Sequence, residues 1–271
     1  MKPIENNKPF LVIKLGGNAL IAEDSLSSFA SAIDVLIKDG FKIVITHGGG
    51  PQISAAFEKA GLANEFLGGF RVTSSQGAQI VKNVLCGEMQ NQVLQILQDL
   101  GIQATGVCGD NGIFECQKRD YLVTGEIADL GFVGEITKVN INEIENILKL
   151  AHVPVVSAVG YDKENQVFNI NADTGAAFLA ASLHADYLVL LTDVEGVYAN
   201  WPDANSLLSE ISKLDLIELI SRVDKGMAPK LEAARTALTH GVPKVAILNG
   251  STGEAVLNYF MNHQKVGTTA S

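Results

Sequence analysis

An α/β fold, a three-layer αβα sandwich around a central, mostly parallel sheet, is what this sequence predicts, and three observations carry the reading. Short apolar runs rich in β-forming residues recur without polar alternation, as strands buried on both faces of a parallel sheet do. Segments with helical apolar spacing lie between those runs. Glycines close three of the segments in the manner of helix C-caps. With 271 residues, 47% of them hydrophobic, the chain can bury a sizeable core, which excludes disorder and suits one large domain or two lobes sharing a sheet.

In chain order, strands are expected over Leu11–Leu15, Phe41–Thr46, Val153–Val159, Tyr187–Thr192 and Val242–Leu248. Helices are expected over Ser27–Lys38, Gln76–Leu100, Ile141–Leu150, Thr174–Leu183 and Leu231–Thr239, with Gly40, Gly101 and Gly241 ending three of them. Alternating βα units give a layered α/β architecture. Tyr121–Lys138 breaks the pattern: its β-formers are interrupted by Gly125, Gly131 and Gly134, which fits a hairpin serving either as a lid or as an ordinary antiparallel edge.

Twenty basic against thirty acidic residues give a net charge of −10, a field that repels nucleic acid and anionic membrane. Neither is expected as a partner. Cys86, Cys108 and Cys116 lack the spacing of a zinc or redox motif and read as reduced thiols. The polar stretch Met1–Phe10 has no signal-peptide pattern, and no apolar run reaches about 18 residues, so the expected location is cytoplasmic.

Two glycine clusters follow predicted strands: Lys14-Leu15-Gly16-Gly17 and His47-Gly48-Gly49-Gly50-Pro51. Ligands of open parallel sheets bind where strand ends meet helix N-termini, and glycine lets backbone N–H groups approach an anion, although tight βα turns use glycine too. Neither cluster has the G-x-G-x-x-G or P-loop order, which removes the main support for dehydrogenase and P-loop readings.

Lys14 ends a buried strand, where its ammonium either meets an anion or snorkels to solvent. Lys230 follows Pro229 at a helix start, where a cation opposes the dipole unless something anionic offsets it. Asp173 precedes an alanine-rich helix and can cap it, orient a lysine, or both. Arg71, in a glycine-flanked loop, either binds a carboxylate through its fork or is a surface residue.

These residues lie in seven ordered motifs: KLGG at Lys14, HGGGP at His47, GFRVT at Gly69, LGFVGE at Leu130, NINAD at Asn169, LTDVEGVY at Leu191 and GMAPK at Gly226. From Val12 to Gly250 the chain resembles the amino acid kinase family. The resemblance implies transfer of the terminal phosphoryl group of ATP to the side-chain carboxylate of N-acetyl-L-glutamate, a step of arginine biosynthesis. It implies that Lys14 and Lys230 flank the transferring group, that Asp173 holds both, and that Gly17 and Gly49 donate N–H groups to phosphoryl oxygens. Gly49, Gly50, Arg71 and Asn169 would bind the acceptor, Arg71 at its α-carboxylate. The nucleotide would lie over Asp193, Val194, Glu195, Gly196, Val197 and Tyr198, and Arg222, Val223 and Asp224. Lobes of about 1–173 for acceptor and dimerisation and 174–271 for nucleotide are implied, with Mg²⁺ held mainly by ATP phosphates and no metal-ligating residue named.

The resemblance also implies a homodimer. The 13 residues before Lys14 are shorter than the N-terminal helix of arginine-inhibited members, so strong arginine inhibition is not expected. Lys225 stands where relatives often carry glycine. Alternatives are a kinase of a related acceptor such as N-acetylaminoadipate, since one methylene changes specificity only about 10- to 200-fold, or a noncatalytic nucleotide or metabolite sensor on the same fold.

Overall fold

The structure, a computed structural model, describes residues 8–16, 23–109, 112–224 and 226–271. Gly17 and Lys225 therefore lie outside the described residues. The first half runs β1 (Phe10–Leu15), α1 (Glu23–Lys38), β2 (Lys42–His47), α2 (Gly50–Lys59), β3 (Phe66–Leu67), β4 (Phe70–Arg71), α3 (Ser75–Asn83), α4 (Gln90–Asp99), β5 (Ala104–Val107), β6 (Phe114–Lys118) and β7 (Gly134–Val139). It continues through α5 (Asn142–Lys149), β8 (Val153–Ser157), β9 (Val159–Tyr161), β10 (Val167–Asn169), α6 (Ala172–Ser182), β11 (Tyr187–Thr192), β12 (Val197–Tyr198), β13 (Leu207–Leu208) and β14 (Glu210–Ile211). The remainder is α7 (Lys213–Ile220), α8 (Ala228–Thr239), β15 (Lys244–Asn249), α9 (Glu254–Phe260) and β16 (Thr268–Ala270).

Among the described residues an eight-stranded sheet has the order β14-β16-β15-β11-β1-β2-β8-β5. Its pairings are parallel apart from β15 with β16. The unalternating strands are explained by burial on both faces. Leu11, Ile13 and Leu15 of β1 pack into one core with α1, α3, α4 and α9, whereas Val12 points into the other with α5, α6 and α8. The expected three-layer sandwich is the observed one. No described helix is long and apolar enough to cross a membrane.

A separate four-stranded sheet, β10-β9-β6-β7, stands beside the large one. Its β6 and β7 pair antiparallel, which moves the expected hairpin: the strands are 114–118 and 134–139, and much of 121–138 is the connection between them. Gly125 and Gly131, at φ 86° and 67°, turn the chain rather than extend it. The expected helix Gln76–Leu100 is interrupted by a π-helical turn over Val84–Met89. That turn carries Cys86, which the structure joins to Cys108 as a disulfide, Cα atoms 5.5 Å apart, in place of the two free thiols expected; Cys116 is free and buried.

Position in the sheet selects the functional region. Strand β1 has β2 on one side and β11 on the other, so the order of connection reverses there, and the carboxyl ends of these three strands open a crevice at the switch point.

Candidate active site

Lys14 is the fifth residue of β1 and is only 5% exposed. An ammonium so deeply placed needs a partner. Its Nζ lies 2.8 Å from Oδ1 of Asp173, and Nζ of Lys230 lies 3.0 Å from Oδ2 of the same carboxylate. One anion thus holds two cations 216 residues apart in sequence.

Local chemistry puts Asp173 there. Asn171 caps α6, its side chain accepting hydrogen bonds from the N–H groups of Asp173 and Thr174, both at 3.0 Å. The capping role read for Asp173 therefore belongs to Asn171, which leaves the Asp173 carboxylate in the first helical turn for the lysines. Lys230 stands in the first turn of α8 after Pro229, and Asp173 supplies the anion that offsets the helix dipole.

The three groups shift one another. Burial lowers the Lys14 pKa and outweighs the opposing attraction of Asp173, with Lys230 adding repulsion. Asp173 raises Lys230 more than burial lowers it. Burial alone would raise the Asp173 carboxyl, but the charges of Lys14 and Lys230 together hold it well below the usual carboxylate range.

Two cavities meet at this triad. The smaller, about 220 Å³, is lined by Lys14 and Asp173 together with Gly48, Gly49, Gly50, Arg71 and Asn169, so it gathers every residue read for the acceptor. Gly49 caps α2, whose first-turn N–H groups face an anion naturally. A Cβ at Gly49 would lie 2.9 Å from Leu85 Cδ2 and 3.0 Å from Met89 Cγ, close enough that these side chains of the π-helical turn would have to shift. Arg71 is buried between Phe57 and Phe66 and donates to the Gly50 carbonyl at 2.9 Å, to Ser54 Oγ at 3.0 Å and to Asn64. Burial lowers its pKa to about 10, which leaves it charged at neutral pH. Asn169 is fixed by a hydrogen bond to Thr73 Oγ1 at 3.1 Å.

The larger cavity, about 880 Å³, is lined by Lys230, Asp193, Val194, Gly196, Tyr198, Arg222, Val223 and Asp224, with Trp201 and Met227. Glu195 and Val197 do not line it: Glu195 accepts a hydrogen bond from Asn249, and the Val197 side chain is in the core. Sequence reading passed over Trp201, although it is the only tryptophan, is 59% exposed, and meets Tyr198 edge to face at 5.1 Å between centroids. Leu85 and Phe66 in the smaller cavity were also missed, because apolar spacing does not separate a cavity wall from core.

Behind the smaller cavity lies a buried polar network. Gln90 Nε2 donates to the carbonyls of Val107 and Val155 at 3.0 Å, and Ser157 Oγ sits 3.1 Å from both His47 Nε2 and the Leu85 carbonyl. Burial lowers the His47 pKa to about 4, so its ring is neutral and fastens the end of β2 rather than supplying charge. Among the described residues, no cluster of three or more His, Cys, Asp or Glu is disposed to hold a metal.

A switch-point crevice with a small cationic cavity and a larger one, joined at two lysines, defines a class of α/β protein equipped to bring two anions together. Residues 9–249 match the amino acid kinase family, and the chain belongs to that family. It is 42% identical over 259 residues to an acetylglutamate kinase of Nocardia farcinica, covering 95% of this chain and 86% of the relative. A solved structure, smu.665 from Streptococcus mutans, is 28% identical with a TM-score of 0.79 and covers 97% and 98% of the two chains. The N-acetylglutamate synthase of Neisseria gonorrhoeae, solved with coenzyme A and N-acetyl-glutamate, is 22% identical with a TM-score of 0.82; 97% of this chain is matched but only 59% of that one, and the likeness is one of fold.

Proposed function

We propose that this chain phosphorylates the side-chain carboxylate of N-acetyl-L-glutamate with MgATP, giving the acyl phosphate and ADP, as a step of arginine biosynthesis in the cytoplasm. The observation that carries the proposal is the Lys14–Asp173–Lys230 triad standing where the two cavities meet. The smaller cavity falls below the roughly 300–1,000 Å³ typical of drug-sized ligands and suits a compact acceptor, while the larger lies within that range and suits a nucleotide. The names of relatives 37–42% identical over nearly the whole chain support the same substrate.

An oxygen of the acceptor carboxylate attacks the terminal phosphorus as the bond to the bridging oxygen of ADP breaks. Because a carboxyl with an ordinary pKa near about 4.3 is already ionised at pH 7, no base is needed. The obstacle is repulsion between anions. Lys14 and Lys230 neutralise the charge that builds on the transferring oxygens, each contributing about 2–4 kcal/mol by comparison with a single oxyanion donor. Asp173 keeps both ammonium groups aimed at the junction. Arg71 fixes the α-carboxylate, Gly50 and Asn169 hold other polar groups of the acceptor, and the N–H group of Gly49 meets a phosphoryl oxygen. Gly17 would add another such donor. Mg²⁺ would be held mainly by the ATP phosphates and water and would help neutralise their charge. Approximate lobes 1–173 and 174–271 and a homodimer belong to the same reading.

ADP release measured with N-acetylglutamate, glutamate, aspartate and N-acetylaminoadipate tests it. Turnover should be fastest with N-acetylglutamate. A clear preference for another acceptor would overturn the assignment, and ATP binding with no turnover on any of the four would favour the sensor.

A further inference from the structure

Arg119 is 5% exposed and belongs to neither cavity, yet it touches the surroundings of both. Its guanidinium lies between the rings of Phe70 and Tyr121, at 4.3 and 4.4 Å from their centroids, and its Nε donates to the Tyr121 carbonyl at 2.9 Å. Its backbone N–H donates to the carbonyl of Val133 at 2.8 Å, and Phe70 and Val133 both line the smaller cavity. The remaining arm of the fork reaches Glu232 Oε1 at 3.2 Å, on α8, two residues beyond Lys230.

As a stabilising device this pair is poorly made. Glu232 Oε2 is buried and finds no hydrogen-bond partner among the described residues. Buried ion pairs with unmet groups are commonly no more stable than apolar packing of the same volume. What the pair supplies is direction: a flat cation stacked on Phe70, beside Arg71, reaches one carboxylate on the helix that carries Lys230.

We propose that Arg119 is a positioning residue, which through Glu232 holds the Lys230 helix in register with the acceptor hairpin β3–β4. The proposal rests on the phosphoryl-transfer reading, because its kinetic consequence is alignment of the two reactants. Misplacement by about 1 Å can cost up to a hundredfold in rate.

Arg119→Met, Glu232→Gln and the double variant test it by ADP-release kinetics, melting temperature and hydrogen exchange of the hairpin amides without substrate. Each single variant is expected to lower kcat/KM for N-acetylglutamate about tenfold while leaving KM for MgATP within about twofold, and the double variant is expected to be no worse than either. Exchange over residues 66–71 should quicken in Glu232→Gln although that side chain is on α8. Glu232→Gln is isosteric and decides the question alone if Arg119→Met fails to fold. A fall in melting temperature with unchanged kinetic constants and unchanged hairpin exchange would overturn the proposal, as would additive losses in the double variant. If the unsubstituted protein releases no ADP, the phosphoryl-transfer reading fails, and hairpin exchange still decides the coupling.

Discussion

Asp173 pairs with two ammonium groups through its two oxygens and favours the charged form of both, yet burial leaves their net shifts opposite in sign. Lys14 is buried and its pKa is lowered, whereas Lys230 is raised by the same carboxylate. Since kcat/KM reports groups of the free enzyme, its alkaline limb should fall at a pH below 10.5, the ordinary lysine value, as Lys14 loses its proton. A pH–rate profile measures this. A limb at or above the ordinary value would assign the titration elsewhere. Lys14 was legible in the sequence because a lysine ending an apolar run is costly, and Arg71 because glycines flank it. That Asn171 and not Asp173 makes the cap was not legible, since both residue types cap helices and their side-chain directions are fixed only by the fold.

Between strands and helices, legibility followed periodicity. Tyr187–Thr192 matches its observed strand end for end, and Gly40, Gly101 and Gly241 take the left-handed conformation read for them. The helices α2, α7 and α9 were passed over: α2 begins inside the His47–Pro51 cluster, which was read for an anion site or a tight βα turn, and α7 and α9 are only eight and seven residues long. The π-helical turn at Val84–Met89 was invisible because apolar spacing continues through it. Two tests belong at this scale. Gly131 has φ 67°, and a Cβ there would stand 2.2 Å from the Thr73 carbonyl oxygen, in the bridge that joins Thr73 to Gly131 beside the acceptor loop. Gly131→Ala should therefore cost at least about 1–3 kcal/mol of stability by denaturant titration; an unchanged midpoint would refute the bridge. Cys86 and Cys108 have a Cα separation suited to a disulfide. Thiol titration of the denatured protein should find one reactive group before reduction and three after; three from the outset would mean that the pair is reduced, the usual state of cytosolic cysteines.

Across the whole molecule, a net charge of −10 opposes the binding of ATP and of an acidic acceptor alike, and the fold answers with local cations rather than a basic surface. Lys14 comes from the centre of the sheet, Lys230 from a helix near the end of the chain, and Arg71 from a two-residue strand. Their convergence was implied by the family resemblance that the ordered motifs carry, and its physical reason, the reversal of connections at β1, appears only in the sheet order. The existence of two separate cavities, and the stacked cation of Arg119 beside them, depends on tertiary contacts between residues about a hundred positions apart and has no local signature. The most direct measurement is the turnover of Lys230→Ala with MgATP and N-acetyl-L-glutamate at saturation, alongside its melting curve. At least about a hundredfold loss of kcat in a folded protein is expected; turnover close to that of the unsubstituted enzyme would contradict the role of the paired lysines.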